Sequence, residues 1–100
     1  MIKVGLLIRV EAKAGKADEV EAMLTQAFAE IQHEKPTLAW FALRLGPTSF
    51  AVLDAFADEE GRQAHIAAHL DEVREAAPLL FAGDPAIEYA DVIAAKVPAA

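Results

Sequence analysis

His65 and His69 are the residues of this chain best suited to chemistry. Four positions apart on a helix they share one face. A neutral imidazole, with an ordinary pKa of about 6.5, takes a proton from an acidic phenol or hydroquinone in the pH range where general base catalysis works best. On a helical wheel His69 borders a stripe of Ile66, Leu70 and Val73 while His65 lies farther out, so one of the two is expected to face the space between helix and sheet. The plainer alternative is a pair of boundary histidines on an alanine-rich helix. Zinc is a further use for histidines at this spacing, but the metalloprotease pattern needs Glu after the first histidine, where Ile66 stands. A third ligand would have to come from Glu72 or His33 by approach in space, and no metal is expected.

Trp40, Phe41, Phe50 and Phe56 form an aromatic set that suits stacking on a planar substrate and equally suits a core or subunit interface. Tyr89 either donates a hydrogen bond into a pocket or anchors the last strand. Arg44 and Asp54 stand on otherwise apolar strands, where burial demands a partner. A cross-strand ion pair between them is expected, with substrate anchoring as the other use of Arg44. The carboxylate runs Asp58-Glu59-Glu60 and Asp71-Glu72 read as a helix cap and a solvated helix face.

The elements that must position these residues follow from periodicity. Ile2 to Ala12 is a first strand, ending before Gly15. From Lys16 to about Gln32 the apolar residues Val20, Met23, Leu24, Ala27, Phe28 and Ile31 fall at helical spacing, and Pro36 stops the helix. A hairpin turned by Gly46-Pro47 follows. Its strands are apolar on both faces: Ala39, Phe41, Leu43 and Leu45 oppose Trp40, Ala42 and Arg44, and Phe50/Val52/Asp54/Phe56 alternate with Ala51/Leu53/Ala55. Such strands are covered twice. Two helices cover one face, so a second copy of the chain is expected on the other, giving a homodimer. Asp58 is the expected N-cap of a second helix carrying Ile66, Leu70, Val73 and Ala77, closed by Pro78 and Leu79-Leu80-Phe81. After the loop Gly83-Asp84-Pro85, a last strand is expected from Ile87 to Val97, then a tail at 98–100. The order β-α-β-β-α-β predicts an α+β fold over residues 1–100 as a single domain: a ferredoxin-like four-stranded antiparallel sheet with both helices on one face.

Composition narrows the partners. Sixteen Asp+Glu against nine Lys+Arg give a formal charge of −7 with no basic cluster, which argues against nucleic acid and anionic membrane surfaces. With no cysteine there is no disulfide framework, thiolate nucleophile or cysteine-ligated cluster. The apolar run Val4 to Ile8 is short and interrupted by Arg9, which fits a strand better than a signal sequence, and a cytoplasmic protein is expected.

Three segments carry a family resemblance: the helix start at Gly15-Lys16, the run Trp40 to Pro47 with Phe50, and Asp54-Ala55-Phe56-Ala57-Asp58-Glu59-Glu60-Gly61-Arg62-Gln63-Ala64-His65. Over nearly its whole length the chain resembles the antibiotic biosynthesis monooxygenase superfamily of dimeric α+β barrels. The resemblance implies oxidation of a small hydroquinone-like or polycyclic phenolic compound by molecular oxygen, without a bound cofactor, because a deprotonated electron-rich phenol reacts with oxygen itself. It implies His69 and then His65 as base, Trp40, Phe41 and Phe56 as pocket walls, and Arg44 as a substrate anchor. Members of the superfamily also use an Asn to hold oxygen or an oxyanion, and this chain has no asparagine. That role would fall to backbone N–H groups, Gln63, Trp40 or a histidine. The missing Asn favours a second reading, a non-catalytic small-ligand-binding or stress-associated dimer, and a haem-degrading variant is a third, resting on the resemblance in fold and on a helix histidine.

Overall fold

The computed structural model describes residues 1–98, so the last two residues of the expected tail lie outside the described residues. Its elements are β1 (Val4–Glu11), α1 (Ala17–Ile31), β2 (Thr37–Arg44), β3 (Ser49–Phe56), α2 (Glu59–Leu80) and β4 (Ala86–Asp91). The sheet order is β2-β3-β1-β4 with every neighbouring pair antiparallel, the ferredoxin-like α+β layout that the periodicity predicts. No helix among the described residues is long and apolar enough to cross a membrane.

Both helices begin where local chemistry starts them. Gly15 takes the left-handed backbone, φ 78°, that turns β1 into α1, and Asp18 and Glu19 occupy the first turn of that helix. Asp58 caps α2, its side chain accepting from the Gly61 N–H at 2.9 Å. That helix closes within the expected segment, running through Pro78 to Leu80 with Phe81 as its C-cap. In the last turn a proline removes a single backbone bond, and Phe81 N still donates to Ala77 O at 3.0 Å. The last strand is shorter than expected, ending at Asp91 rather than Val97. Asp91 pairs with Val4, the first residue of β1, and the Val92 N–H still donates to Lys3 O at 2.8 Å, so no strand remains for residues 93–97 to join.

The sheet has two unequal faces. Leu6, Phe50, Asp54 and Phe56 point under the helices and are at most 2% exposed. The apolar core gathers at the hairpin-turn end, where Ala12, Val20, Phe50 and Phe81 pack together with Leu24 and Val73. On the outer face Phe41, Leu43 and Leu53 remain 53%, 41% and 43% exposed. A bulge in β2 sets which side Thr37 faces. Ala39 opposes Ala55 on the outer face, yet Thr37 opposes Phe56, so the irregularity between them turns Thr37 inward.

Candidate functional site

At the opposite end of the helix–sheet interface the buried residues are polar. Asp54 comes from the middle of β3, His65 and His69 from the first half of α2, and Glu34 from the loop between α1 and β2. His65 is held from both sides: its Nε2 lies 2.6 Å from Asp54 Oδ2 and its Nδ1 2.7 Å from Glu34 Oε1. The other Glu34 oxygen, Oε2, meets His69 Nε2. The inward-turned Thr37 donates to Glu34 Oε1 at 2.9 Å and steadies the carboxylate between the two rings. Phe56 backs His65, with ring centroids 5.4 Å apart.

Asp54 is fully buried. Its contact with His65 is close but not an aligned hydrogen bond, and neither of its oxygens has a hydrogen-bond donor among the described residues. Burial pushes the His65 imidazole toward its neutral form, but the contacts with Asp54 and Glu34 outweigh burial and hold its pKa above the ordinary value. For Glu34, burial opposes ionisation, while bonds to His65, His69 and Thr37 prevail and keep its carboxyl below the usual range. The direction of both shifts favours an imidazolium at His65 that donates from Nδ1 to Glu34 and turns Nε2 toward Asp54 without an aligned bond. His69 differs. Ionised Glu34 only accepts, so His69 presents its Nε2–H to it and keeps Nδ1 for other use. That second nitrogen makes no hydrogen bond among the described residues and lies 4.0 Å from Glu30 Oε2, and a carboxylate that orients an imidazole in this way is the arrangement of a general base.

The cluster opens on a cavity of about 210 Å³ between α1, α2 and the sheet, walled by Trp40, Val52, Met23, Ala27 and Val73. Asp54, His65 and His69 form part of its lining, together with Glu30 and Glu72. No Lys or Arg among the described residues lines it. A larger open groove of about 760 Å³ runs along the C-terminal part of α2 past Lys13, Arg74 and Tyr89, and contains none of the cluster.

Of the residues singled out in the sequence, the fold brings together His65, His69 and Trp40, whose ring stacks 6.2 Å from that of Phe28. His65 is the more deeply placed histidine, reversing the order on the helical wheel, because the face of α2 turned to the sheet at this end is polar and buries Arg62 with His65. Phe56 supports His65 from behind and does not line the cavity. Phe41 lies on the outer face of the sheet, away from it. Arg44 stands at the hairpin end, 3.1 Å from Glu21, 3.8 Å from Asp18 and over the Phe50 ring. The expected Arg44–Asp54 pair does not form: the hairpin register sets Arg44 opposite Phe50 and Asp54 opposite Trp40. Gln63 is exposed, and its amide reaches Glu59 rather than the cavity. Two residues escaped the sequence reading. Glu34 precedes Pro36 in a loop with no periodicity to mark it. Arg62 is buried, with Nη1 donating to Gly5 O at 2.9 Å and Ala90 O at 3.2 Å, where it ties β1 and β4 to α2.

The ferredoxin-like sheet under two helices is the fold of solved proteins described as candidate antibiotic biosynthesis monooxygenases. A candidate antibiotic biosynthesis monooxygenase from Caulobacter crescentus superposes with a TM-score of 0.77 at 23% identity, covering 93% of this chain and 92% of that one. Another candidate of the same description, from Nitrosomonas europaea, gives 0.79 at 15% identity over 91% and 90%. The NE2512 protein of unknown function from Nitrosomonas europaea gives 0.95 at 42% identity, covering all of this chain (100%) and 98% of its own. The chain belongs to the family of NE2512, within the antibiotic biosynthesis monooxygenase fold. No family model and no curated protein matches the sequence.

Proposed function

We propose that the protein is a monooxygenase that uses molecular oxygen on a small neutral phenol or hydroquinone, with His69 as the base. The observation that carries this reading is the carboxylate-oriented His69 on the wall of an otherwise largely apolar cavity. Its volume, about 210 Å³, is below the roughly 300–1,000 Å³ of drug-sized sites and suits one or two fused rings rather than a larger polycycle. The carboxylates in the lining and the formal charge of −7 disfavour anionic substrates. In this reading His69 Nδ1 takes the phenolic proton and Trp40 flanks the ring. The His69 imidazolium formed in that step pairs with the phenolate. The electron-rich phenolate then reacts with oxygen directly: one oxygen atom bonds to the ring, the O–O bond breaks and the other atom leaves as water, with the electrons supplied by the substrate as it becomes a quinone, while the protein orients it and excludes bulk water.

Oxygen uptake with single-ring and naphthalene hydroquinones tests it. Wild type is expected to consume oxygen above the autoxidation rate, and His69→Gln to lose about 10²–10⁴-fold of that excess. Undiminished uptake in His69→Gln would overturn the base assignment. Saturable binding of these compounds without uptake would establish the ligand-binding reading instead.

The reading includes a homodimer. Phe41, Leu43 and Leu53 leave a contiguous apolar patch on a sheet face that no helix covers, and a second copy presenting the same face buries it. Sedimentation is expected to give a dimer mass for wild type and a monomer for Phe41→Asp.

A further inference from the structure

We propose that Glu34, His65 and His69 form a seat for one divalent transition-metal ion. The inference rests on the same side chains as the base assignment but needs neither substrate nor oxygen. Each residue offers one ligand atom, and the three atoms lie within 4.8 Å of one another. Two of them come from one helix at a four-residue spacing, which fixes their separation, and Thr37 holds the third through its 2.9 Å bond to Glu34.

Asp54 is the independent observation. Metal-bound histidines almost always hand their other ring nitrogen to a carboxylate, which sets the tautomer and aims the ligand nitrogen. Fully buried Asp54, 2.6 Å behind His65 Nε2, stands in that position and leaves Nδ1 facing Glu34 and His69. Its Oδ1 has no partner among the described residues, and the residue lines the cavity. Such a carboxylate, without a donor for either oxygen, is costly unless positive charge stands beside it. Three protein ligands would leave a fourth position open, as in catalytic rather than structural zinc sites. Two imidazoles and a carboxylate suit zinc, cobalt or iron over calcium or magnesium. The seat departs from the expectation of no metal because Glu34, invisible to the spacing argument, supplies the ligand that Glu72 or His33 was needed for. Glu30, His69 and Glu72 make a second grouping, but both carboxylates are exposed and no buried acid stands behind it.

The test is titration of chelator-treated full-length protein with Zn²⁺ by calorimetry and with Co²⁺ by visible absorption. One ion per chain is expected, with the intense d–d bands of a four-coordinate cobalt site. His69→Ala and Glu34→Gln are expected to weaken binding by about 100-fold or more, and Asp54→Asn, which keeps all three ligands, by about 10–100-fold. Circular dichroism on each variant establishes that the fold is retained. Glu30→Gln and Glu72→Gln should leave the affinity unchanged. Absence of saturable binding by the folded protein would overturn the seat. So would binding that survives Glu34→Gln and is lost in Glu72→Gln. Failure here leaves the base assignment standing, whereas cobalt binding by a protein that consumes no oxygen refutes only the latter.

Discussion

The two ends of the helix–sheet interface are buried to a similar depth by opposite chemistry. At the hairpin end Val20, Phe50 and Phe81 exclude water with apolar contact alone. At the other end Asp54, Arg62 and His65 take charge into the interior, where His65 stands between Asp54 and Glu34 and Arg62 pairs with Glu59. Removing water from apolar surface is favourable in itself, about 25 cal/mol per Å². A buried ion pair roughly breaks even against an apolar replacement of the same shape, and it becomes a liability when one partner is lost. The contrast assigns stabilisation of the fold to the hairpin end and the proposed chemistry to the polar end.

Substitutions at each end can break this contrast. The largest stability effect is expected at Phe50, fully buried in the apolar core: Phe50→Ala should cost about 3–5 kcal/mol in urea unfolding and leave the polar cluster intact. A loss under 1 kcal/mol would mean that this end is not the structural one. Asp54→Asn should cost less, about 1–3 kcal/mol, by weakening the compensation of a buried imidazolium.

Next in size is a pH effect confined to the polar end. Folded His65 holds its proton above the ordinary 6.5, so the stability it contributes is complete below pH 6.5 and lost as pH rises through the raised value. Glu34 ionises below the ordinary 4.5, and its contribution is complete above pH 4.5 and lost as pH falls through the lowered value. Both are present between pH 4.5 and 6.5, where the extra stability should peak. The alkaline decline should flatten in His65→Gln; an identical decline in wild type and variant would remove His65 as its source. Smallest of all, Arg44→Gln should cost about 0–1 kcal/mol, since its partners Glu21 and Asp18 are exposed.

Legibility in the sequence divides along the same line. Strand alternation and the helical spacing of Val20, Leu24 and Val73 report burial directly, so the order of elements and the apolar end could be read in advance. The expected N-cap Asp58 is likewise where a short polar side chain acts on its own neighbourhood. The polar end draws Glu34, Thr37, Asp54 and His65 from four separate segments, and no period links them. One strand bulge turns Thr37 inward, and the hairpin register sends Arg44 and Asp54 to different places. Those are tertiary facts. The two histidines stood out because they share a helix face, whereas the carboxylate between them did not.

The protonation of His65 is the most direct measure of whether the polar end carries charge as described. Long-range ¹⁵N–¹H spectra of the imidazoles, followed through a pH titration, should show His65 losing its second ring proton at a higher pH than an unstructured histidine. A midpoint for His65 at or below that of an unstructured histidine would mean that its flanking carboxylates do not hold the charge.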